Sequence, residues 1–272
     1  MEPILLNLEL ARRIELAEAQ AGAAAAISLG KLKPATGASV ERIAGGLAAF
    51  AGAGSPVTQA IGAGLEGQPV SETEFARLET FYRRRHEPVR VEACPLAHAS
   101  LFAHFFTGGY RATEFTNVMA RRIDDARAAG PSEGPAIRVR RVAEAELDLW
   151  TRTVATGFSE GHEPKGELLE VMKAFGLAEG VECYLAEFAG RPAGGGTLIL
   201  REGVAGLFGA GTLPEFRKRG VQTELLRVRI ERGREAGCDI AVCLAAPGSR
   251  SEHNVVRRGF QVLYTRVKFE SS

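Results

Sequence analysis

The sequence predicts an α/β protein: a mixed central sheet with helices on both faces, built as two related halves. Three observations carry that expectation. Segments alternating apolar and polar residues are interleaved with segments whose apolar residues recur at helical spacing. A stretch rich in proline and glycine, Ala128–Pro135, interrupts the pattern near the midpoint of the 272 residues. The elements before it then reappear after it at a fixed spacing, Gly45-Gly46 and Gly195-Gly196 standing 150 positions apart.

The second half is read element by element. Ala136–Val142 sets Ile137 and Val139 against Arg138 and Arg140, the mark of a half-buried strand. Glu144–Val154 carries Leu147, Trp150 and Val154 at helical spacing, and Leu168–Phe175 does the same with Leu168, Leu169, Met172 and Phe175. Cys183–Phe188 and Gly195–Leu200 flank Gly190-Arg191-Pro192-Ala193, which predicts a hairpin with a loop of several residues. Gly203–Thr212 reads as a strand of small residues. Gln222–Glu235 is an amphipathic helix closed by Gly237. Asp239–Ala245 is a short apolar strand, Ser251–Arg258 a short helix ending at Gly259, and Phe260–Phe269 a last strand. The order is βααβββαβαβ. In the first half Glu72–Arg85 faces Gln222–Glu235, Val89–Ala93 faces Asp239–Cys243, and Gly109-Tyr110 faces Gly259-Phe260. Two domains follow, over 1–130 and 136–272. Trp150 and the Phe102-Phe105-Phe106 cluster are expected in the cores.

Composition narrows the function. Lys and Arg number 34 against 33 Asp and Glu, a net charge of +1, which argues against a broad binder of nucleic-acid backbone. The length supports a full core without disulfides. Cys94, Cys183, Cys238 and Cys243 form no Cys-x-x-Cys, so free buried thiols in a reducing compartment are expected, with no metal site. Met1-Glu2-Pro3 lacks the cationic start of a secretory signal. The apolar stretch around Ala21–Leu29 has about half the ~20 residues that cross a bilayer. A cytoplasmic protein without membrane or nucleic-acid partners is the expectation.

The strongest local signal is Leu213-Pro214-Glu215-Phe216-Arg217-Lys218-Arg219-Gly220-Val221-Gln222-Thr223, between a strand and a helix. A helix N-terminus offers unpaired backbone N–H groups and partial positive charge to an anion. Gly220 allows a positive φ, and Arg217, Lys218 and Arg219 place three charges in the turn. Thr223 adds a hydroxyl. The competing reading is a solvated basic turn whose glycine serves geometry alone.

Arg217-x-x-Gly220-x-Gln222 resembles the acetyl-CoA signature of the GNAT acetyltransferases, Q/R-x-x-G-x-G/A. Ala246–Asn254 with Arg258-Gly259-Phe260 is similar to the family's second motif, as is the closing Tyr264-Thr265-Arg266. The resemblance covers Ala136–Ser272, and the first half resembles a degenerate copy, with Gly67-Gln68-Pro69-Val70 where the signature should stand. Pro69 removes a backbone donor there. Tandem GNAT proteins such as mycothiol synthase have a similar arrangement.

The resemblance implies an N-acetyltransferase: an amine of a small molecule or protein attacks the thioester of acetyl-CoA directly in a ternary complex, without a metal. It implies that Arg217, Lys218, Arg219, Gly220, Val221, Gln222 and Thr223 bind the pyrophosphate, and that Gly211, Thr212 and Leu213 lie along the pantetheine with a backbone N–H of that strand as oxyanion donor. Ser249, Ser251 and Asn254 are partners for the pantetheine or nucleotide. Where many members carry a general-acid tyrosine this chain has Val255, leaving Tyr264, Ser251, His253 or water. For the base, Glu160 and Glu163 fall in the loop between the first two helices, which the family uses to line the acceptor pocket; a solvated acidic loop is the plainer alternative. The contrasting function is an acyl-CoA sensor that binds without turnover, and a third is a phosphate or nucleotide binder unrelated to CoA. A monomer or a homodimer fits equally.

Overall fold

The computed structural model describes residues 3–123 and 137–272. The first stretch forms α1 (Leu8–Leu32), β1 (Ser39–Ile43), β2 (Gly46–Phe50), β3 (Gln59–Ile61), α2 (Glu72–Arg83), β4 (Arg90–Ala93), α3 (Ala99–Thr107) and β5 (Arg111–Arg122). The second forms β6 (Ile137–Arg141), α4 (Leu147–Phe158), α5 (Gly166–Gly176), β7 (Val181–Phe188), β8 (Arg191–Arg201), β9 (Val204–Gly206) and β10 (Gly211–Thr212). It ends with α6 (Val221–Glu235), β11 (Ile240–Ala245), α7 (Arg250–Val256) and β12 (Gln261–Glu270). The predicted order βααβββαβαβ is therefore present, with the predicted fourth strand, Gly203–Thr212, interrupted into β9 and β10.

Two compact units result, one of Met1–Ala120 with Leu244–Ser272 and the other of Arg121–Cys243. This differs from a division into 1–130 and 136–272. The last strand of the chain packs with the first unit, and the segment Ala128–Pro135 lies outside the described residues.

In the unit Arg121–Cys243 the strand order is β11-β9-β8-β7-β6, with β10 also on β8. β11 runs parallel to β9, and the other pairs are antiparallel. The β7–β8 hairpin is tighter than the sequence suggests. Phe188 pairs with Arg191, so Ala189 and Gly190 alone turn the chain, at φ 49° and 75°. A two-residue turn with both φ values positive matches the twist of its strands, and Arg191, Pro192 and Ala193 thereby become strand. Trp150 on α4 is fully buried and donates its indole N–H to Tyr184 O at 3.1 Å, so its polar atom is satisfied where its ring packs.

In the other unit the order is β1-β2-β3-β4-β12-β5. The alanine-rich α1 packs a face of small side chains against β2, which lets backbone and sheet approach closely. Asn7 caps its start by accepting from Leu10 N–H at 2.8 Å. β12 lies antiparallel between β4 and β5, and its buried Arg266 explains why it belongs there. The guanidinium meets Glu18 at 2.7 Å, Glu15 at 3.2 Å and Glu92 at 3.0 Å, while Tyr264 donates its hydroxyl to Glu15 at 2.8 Å. Removing β12 would leave three carboxylates of α1 and β4 facing no cation in this cluster's interior. Phe105 is buried in this unit, but Phe106 is 72% exposed and is not core as expected.

Burial raises the Glu15 carboxyl to about 7, against the pull of Arg266. The folded chain then holds this proton at pH values where the unfolded chain has released it. Glu15 therefore lowers stability progressively as pH rises from about 4.5 to about 7, by an amount on the order of 3 kcal/mol, and no further above that. Glu15→Gln keeps an acceptor for Tyr264 and removes the titration. Urea unfolding across this range should show the wild type losing stability with rising pH and the variant losing less.

Candidate functional site

The site begins with a slip in strand pairing. Ile199 pairs with Gly206, yet Gly195 pairs with Gly211, so the β9–β10 side spends one residue more than β8 does. Phe208 O lies in this bulge and accepts both the Thr197 N–H and the Thr197 hydroxyl, each at 2.9 Å. On the other side, the bonds to β11 end where Leu207 N–H donates to Val242 O at 2.8 Å. Beyond Leu207 the strand pairs, among the described residues of this unit, with β8 alone.

The run Gly194-Gly195-Gly196 makes this geometry possible, and each glycine has its own neighbour. A Cβ at Gly194 would fall 2.6 Å from Gly211 O. One at Gly195 would fall 2.8 Å from Val154 and 2.9 Å from the Trp150 ring nitrogen, and one at Gly196 would fall 2.7 Å from Nη1 of Arg229. Gly211 is bare for a related reason: its Cβ would meet Val154 O at 2.8 Å, because α4 packs backbone to backbone on β10. The packing of the helix alone already requires a bare residue here. Gly157 on α4 closes the same contact, its Cβ position lying 2.9 Å from Thr212 N.

After β10 the Leu213 N–H donates to Ala193 O at 2.9 Å, and a single 3-10 turn, Pro214–Phe216, leads into the basic loop. Lys218 takes φ 62° and Gly220 takes φ 88°. Left-handed backbone is strained for lysine and ordinary for glycine. No side chain caps α6, and its first internal bond runs from Glu224 N–H to Gly220 O. The N–H groups of Val221 and Gln222 thus have no partner within the helix. Lys218 and Arg219 are exposed around this end, while Gln222 and Thr223 are half-buried. The Arg219 guanidinium sits 5.1 Å above the Phe188 ring, and Phe188 in turn leans on Phe216, which packs under Arg191. The loop therefore presents positive charge on a fixed aromatic base.

Arg217 has a different task from its neighbours. It donates to Glu160 at 2.6 Å, to Gly157 O at 3.3 Å and to Thr212 O at 3.4 Å, tying the end of α4 to β10. Glu160 itself has φ 54°, and Gly161 after it has φ 89° with its Cβ position 2.8 Å from Pro214. The loop after α4 is thereby laid against the turn before α6. Between them opens a cleft of about 590 Å³, walled by Thr153, Thr156, Glu160, His162, Leu213 and Glu215, with Arg152 at its edge. The structure thus brings Glu160 and Arg217 into direct contact. Glu163 lies exposed in the same loop, outside the cleft lining.

The remaining expected residues belong to the other unit. Ser249 caps α7 by accepting from Glu252 N–H at 3.2 Å, Ser251 and His253 are exposed, and Asn254 accepts from Arg257 at 2.7 Å. Val255 is buried. Tyr264 is buried and spends its hydroxyl on Glu15, and burial beside that carboxylate holds its own ionisation far up. The thiols of Cys94, Cys183 and Cys243 are free, buried and pushed up to about 12 by desolvation, so none is poised as a nucleophile. Among the described residues no group of three or more metal-ligating side chains assembles, and no helix is long and apolar enough to cross a membrane.

Arg229 was not singled out by sequence. It is fully buried on α6, in the row Leu225, Arg229, Gly233 that faces the sheet. A charged residue on an apolar helical stripe, opposite three consecutive glycines, is the signal that marks it.

Residues 145–260 match the family model described as the acetyltransferase (GNAT) family. No curated protein matches the chain. Among solved structures, a GCN5-related N-acetyltransferase from Kribbella flavida aligns over 91% of this chain and 95% of its own at 16% identity, with a TM-score of 0.63. A tandem GNAT protein from the clavulanic acid biosynthesis pathway aligns over 84% and 78% at 14% identity, TM-score 0.57. A GCN5-related N-acetyltransferase from Sphaerobacter thermophilus aligns over 70% and 63% at 18% identity, TM-score 0.51. At such identities the likeness concerns the fold.

The glycine contacts give a paired prediction. Gly211→Ala forces α4 away from β10 and should cost about 1–3 kcal/mol in denaturant unfolding. Gly166→Ala, at the start of α5 where a Cβ meets nothing within 4 Å, should be neutral or slightly stabilising.

Proposed function

We propose that the chain, whose residues 145–260 match the acetyltransferase (GNAT) family model, transfers the acetyl group of acetyl-CoA to a primary amine by direct attack. The observation that carries this reading is the uncapped start of α6, with Gly220 at φ 88° and Lys218 and Arg219 exposed beside it. Backbone donors, helix dipole and cationic side chains converge there, which is the chemistry of a pyrophosphate site. The first unit offers a contrast. At α2, Ser71 accepts from Glu74 N–H at 3.2 Å, and Glu72 and Glu74 occupy the first turn, so the equivalent end is capped and acidic.

Acetyl-CoA, when bound, supplies an activated thioester; the protein supplies placement. Val221 and Gln222 N–H groups with Arg219 and Lys218 hold the pyrophosphate, and the strand from Phe208 to Leu213 runs beside the pantetheine. Among the described residues of its unit, the strand pairs with β8 on one side, and its other edge is the one that faces the pantetheine in this reading. The amine enters from the 590 Å³ cleft. Glu160 and Glu215 on its wall favour a cationic amine. Held by Arg217, Glu160 orients the ammonium, and the proton passes to solvent. Tyr264 plays no part in this scheme, its hydroxyl being engaged by Glu15. The cleft's size suits a small molecule or an exposed lysine-like side chain. The reading places the protein in the cytoplasm, where acetyl-CoA is made and used.

The engaged tyrosine and buried Val255 favour one other reading, an acyl-CoA sensor without turnover. Assaying thiol release with a panel of mono- and polyamines distinguishes the two. Acetylated amine should form in equal amount with free CoA, and ATP should compete poorly. Glu160→Gln should raise the amine KM with little change in kcat. Binding of acetyl-CoA without any acetylated amine would favour the sensor, and a kcat collapse in Glu160→Gln would make Glu160 the base instead.

A further inference from the structure

Arg229 is 0% exposed, yet the groups that meet it are carbonyls rather than carboxylates. Its Nε donates to Leu225 O at 3.0 Å, and Nη1 donates to Thr197 O at 2.8 Å and to Phe208 O at 3.4 Å. Nη2 has no hydrogen-bond partner among the described residues. Burial draws its pKa down to about 10, so the guanidinium stays cationic at neutral pH. A buried charge without a counter-ion is expensive, and an aliphatic side chain would fill the same place at lower cost. Gly196 must also stay bare to admit it.

The position of the charge suggests what it does. Phe208 O, in the bulge, accepts three donors at once: the Thr197 N–H, the Thr197 hydroxyl and Arg229 Nη1. Hydrogen bonds to a carbonyl polarise its whole peptide group and strengthen the N–H at the other end. That N–H belongs to Gly209. The peptide is trans, so the N–H points opposite to Phe208 O and away from β8. No backbone carbonyl among the described residues accepts it, and it lies past the last bond to β11.

We propose that Arg229 is a positioning residue for acyl transfer, holding and polarising the Phe208–Gly209 peptide from the buried side so that the Gly209 N–H receives the charge that develops on the acyl oxygen. The inference rests on the acetyl-transfer reading above. As the amine nitrogen bonds to the thioester carbon, the carbonyl π pair moves onto oxygen, where Gly209 N–H donates. When the carbonyl re-forms, the C–S bond breaks, the thiolate leaves with the electron pair, and the amine's proton goes to solvent. Arg229 touches none of the reacting atoms; it sets the strength and aim of the donor that does.

Isotope-edited infrared difference spectroscopy of acetyl-CoA labelled with carbon-13 at the carbonyl, bound to the full chain, tests this without knowledge of the amine. The wild type should move the carbonyl stretch to lower wavenumber. Arg229→Met should lose most of that shift with acetyl-CoA affinity, measured by calorimetry, unchanged. Arg229→Lys, which keeps the charge, should recover part of it. Thr197→Val, which leaves Arg229 in place and removes one donor to Phe208 O, should lose a smaller part and serves where the Met variant does not fold. A full wild-type shift in Arg229→Met, or in Thr197→Val, overturns the inference. Failure of the wild type to bind acetyl-CoA overturns the acetyl-transfer reading itself, and this inference with it.

Discussion

One extra residue between Gly206 and Gly211 organises the second unit. The slip turns a strand of small residues into two short pieces, with Phe208 O turned inward onto Thr197 and Arg229. Among the described residues of its unit, β10 pairs with β8 and the bonds to β11 stop at Leu207. The slip in turn depends on close approach. α4 lies on β10 backbone to backbone, and Trp150, Val154, Gly211 and Arg229 all occupy space that side chains at 194–196 would fill. Arg217 then fixes the far end, joining the end of α4 to β10 and to Glu160.

The first stretch shares the run of three strands, helix, strand, helix and strand, and shows what it becomes when these choices are not made. β3 is followed by Gly62 and Gly64, both at positive φ, but His98 N–H donates to Gly64 O at 2.8 Å and Ala97 crowds the same glycine. The space beside that strand is bridged by the protein's own backbone. At the helix that follows, Ser71 and two glutamates replace the open, basic start of α6. The first unit also carries a buried cluster of charge, Glu15, Glu18, Glu92 and Arg266, that fastens β12. The start of α2 is thus capped and acidic where that of α6 is uncapped and basic.

Much of this was legible in the sequence because it is local. The helices Glu72–Arg83, Val221–Glu235 and Gly166–Gly176 announce themselves by apolar spacing, and α6 also by its closing Gly237. The left-handed Gly220 follows from its place before an uncapped helix. What escaped was non-local. The bulge depends on pairing between β8 and residues seven to sixteen positions away, and no periodicity encodes it. The partner of Arg217 is Glu160, 57 positions earlier, a contact that no local motif encodes. Tyr264 and Arg266 sit in an ordinary alternating strand, and their burial against α1 depends on a helix at the other end of the sequence. Phe106 illustrates the converse, since an aromatic cluster on a short helix cannot keep three adjacent faces inside.

The claim on which the account turns is that an anion, the pyrophosphate of acetyl-CoA, lies at the start of α6. Calorimetric titration of acetyl-CoA into the wild type and into the Arg219→Ala, Gly220→Asp double variant tests it most directly. The account predicts saturable binding by the wild type and its loss in the variant, where an aspartate must adopt φ 88° and adds negative charge to the helix start. Equal binding by both proteins would contradict it.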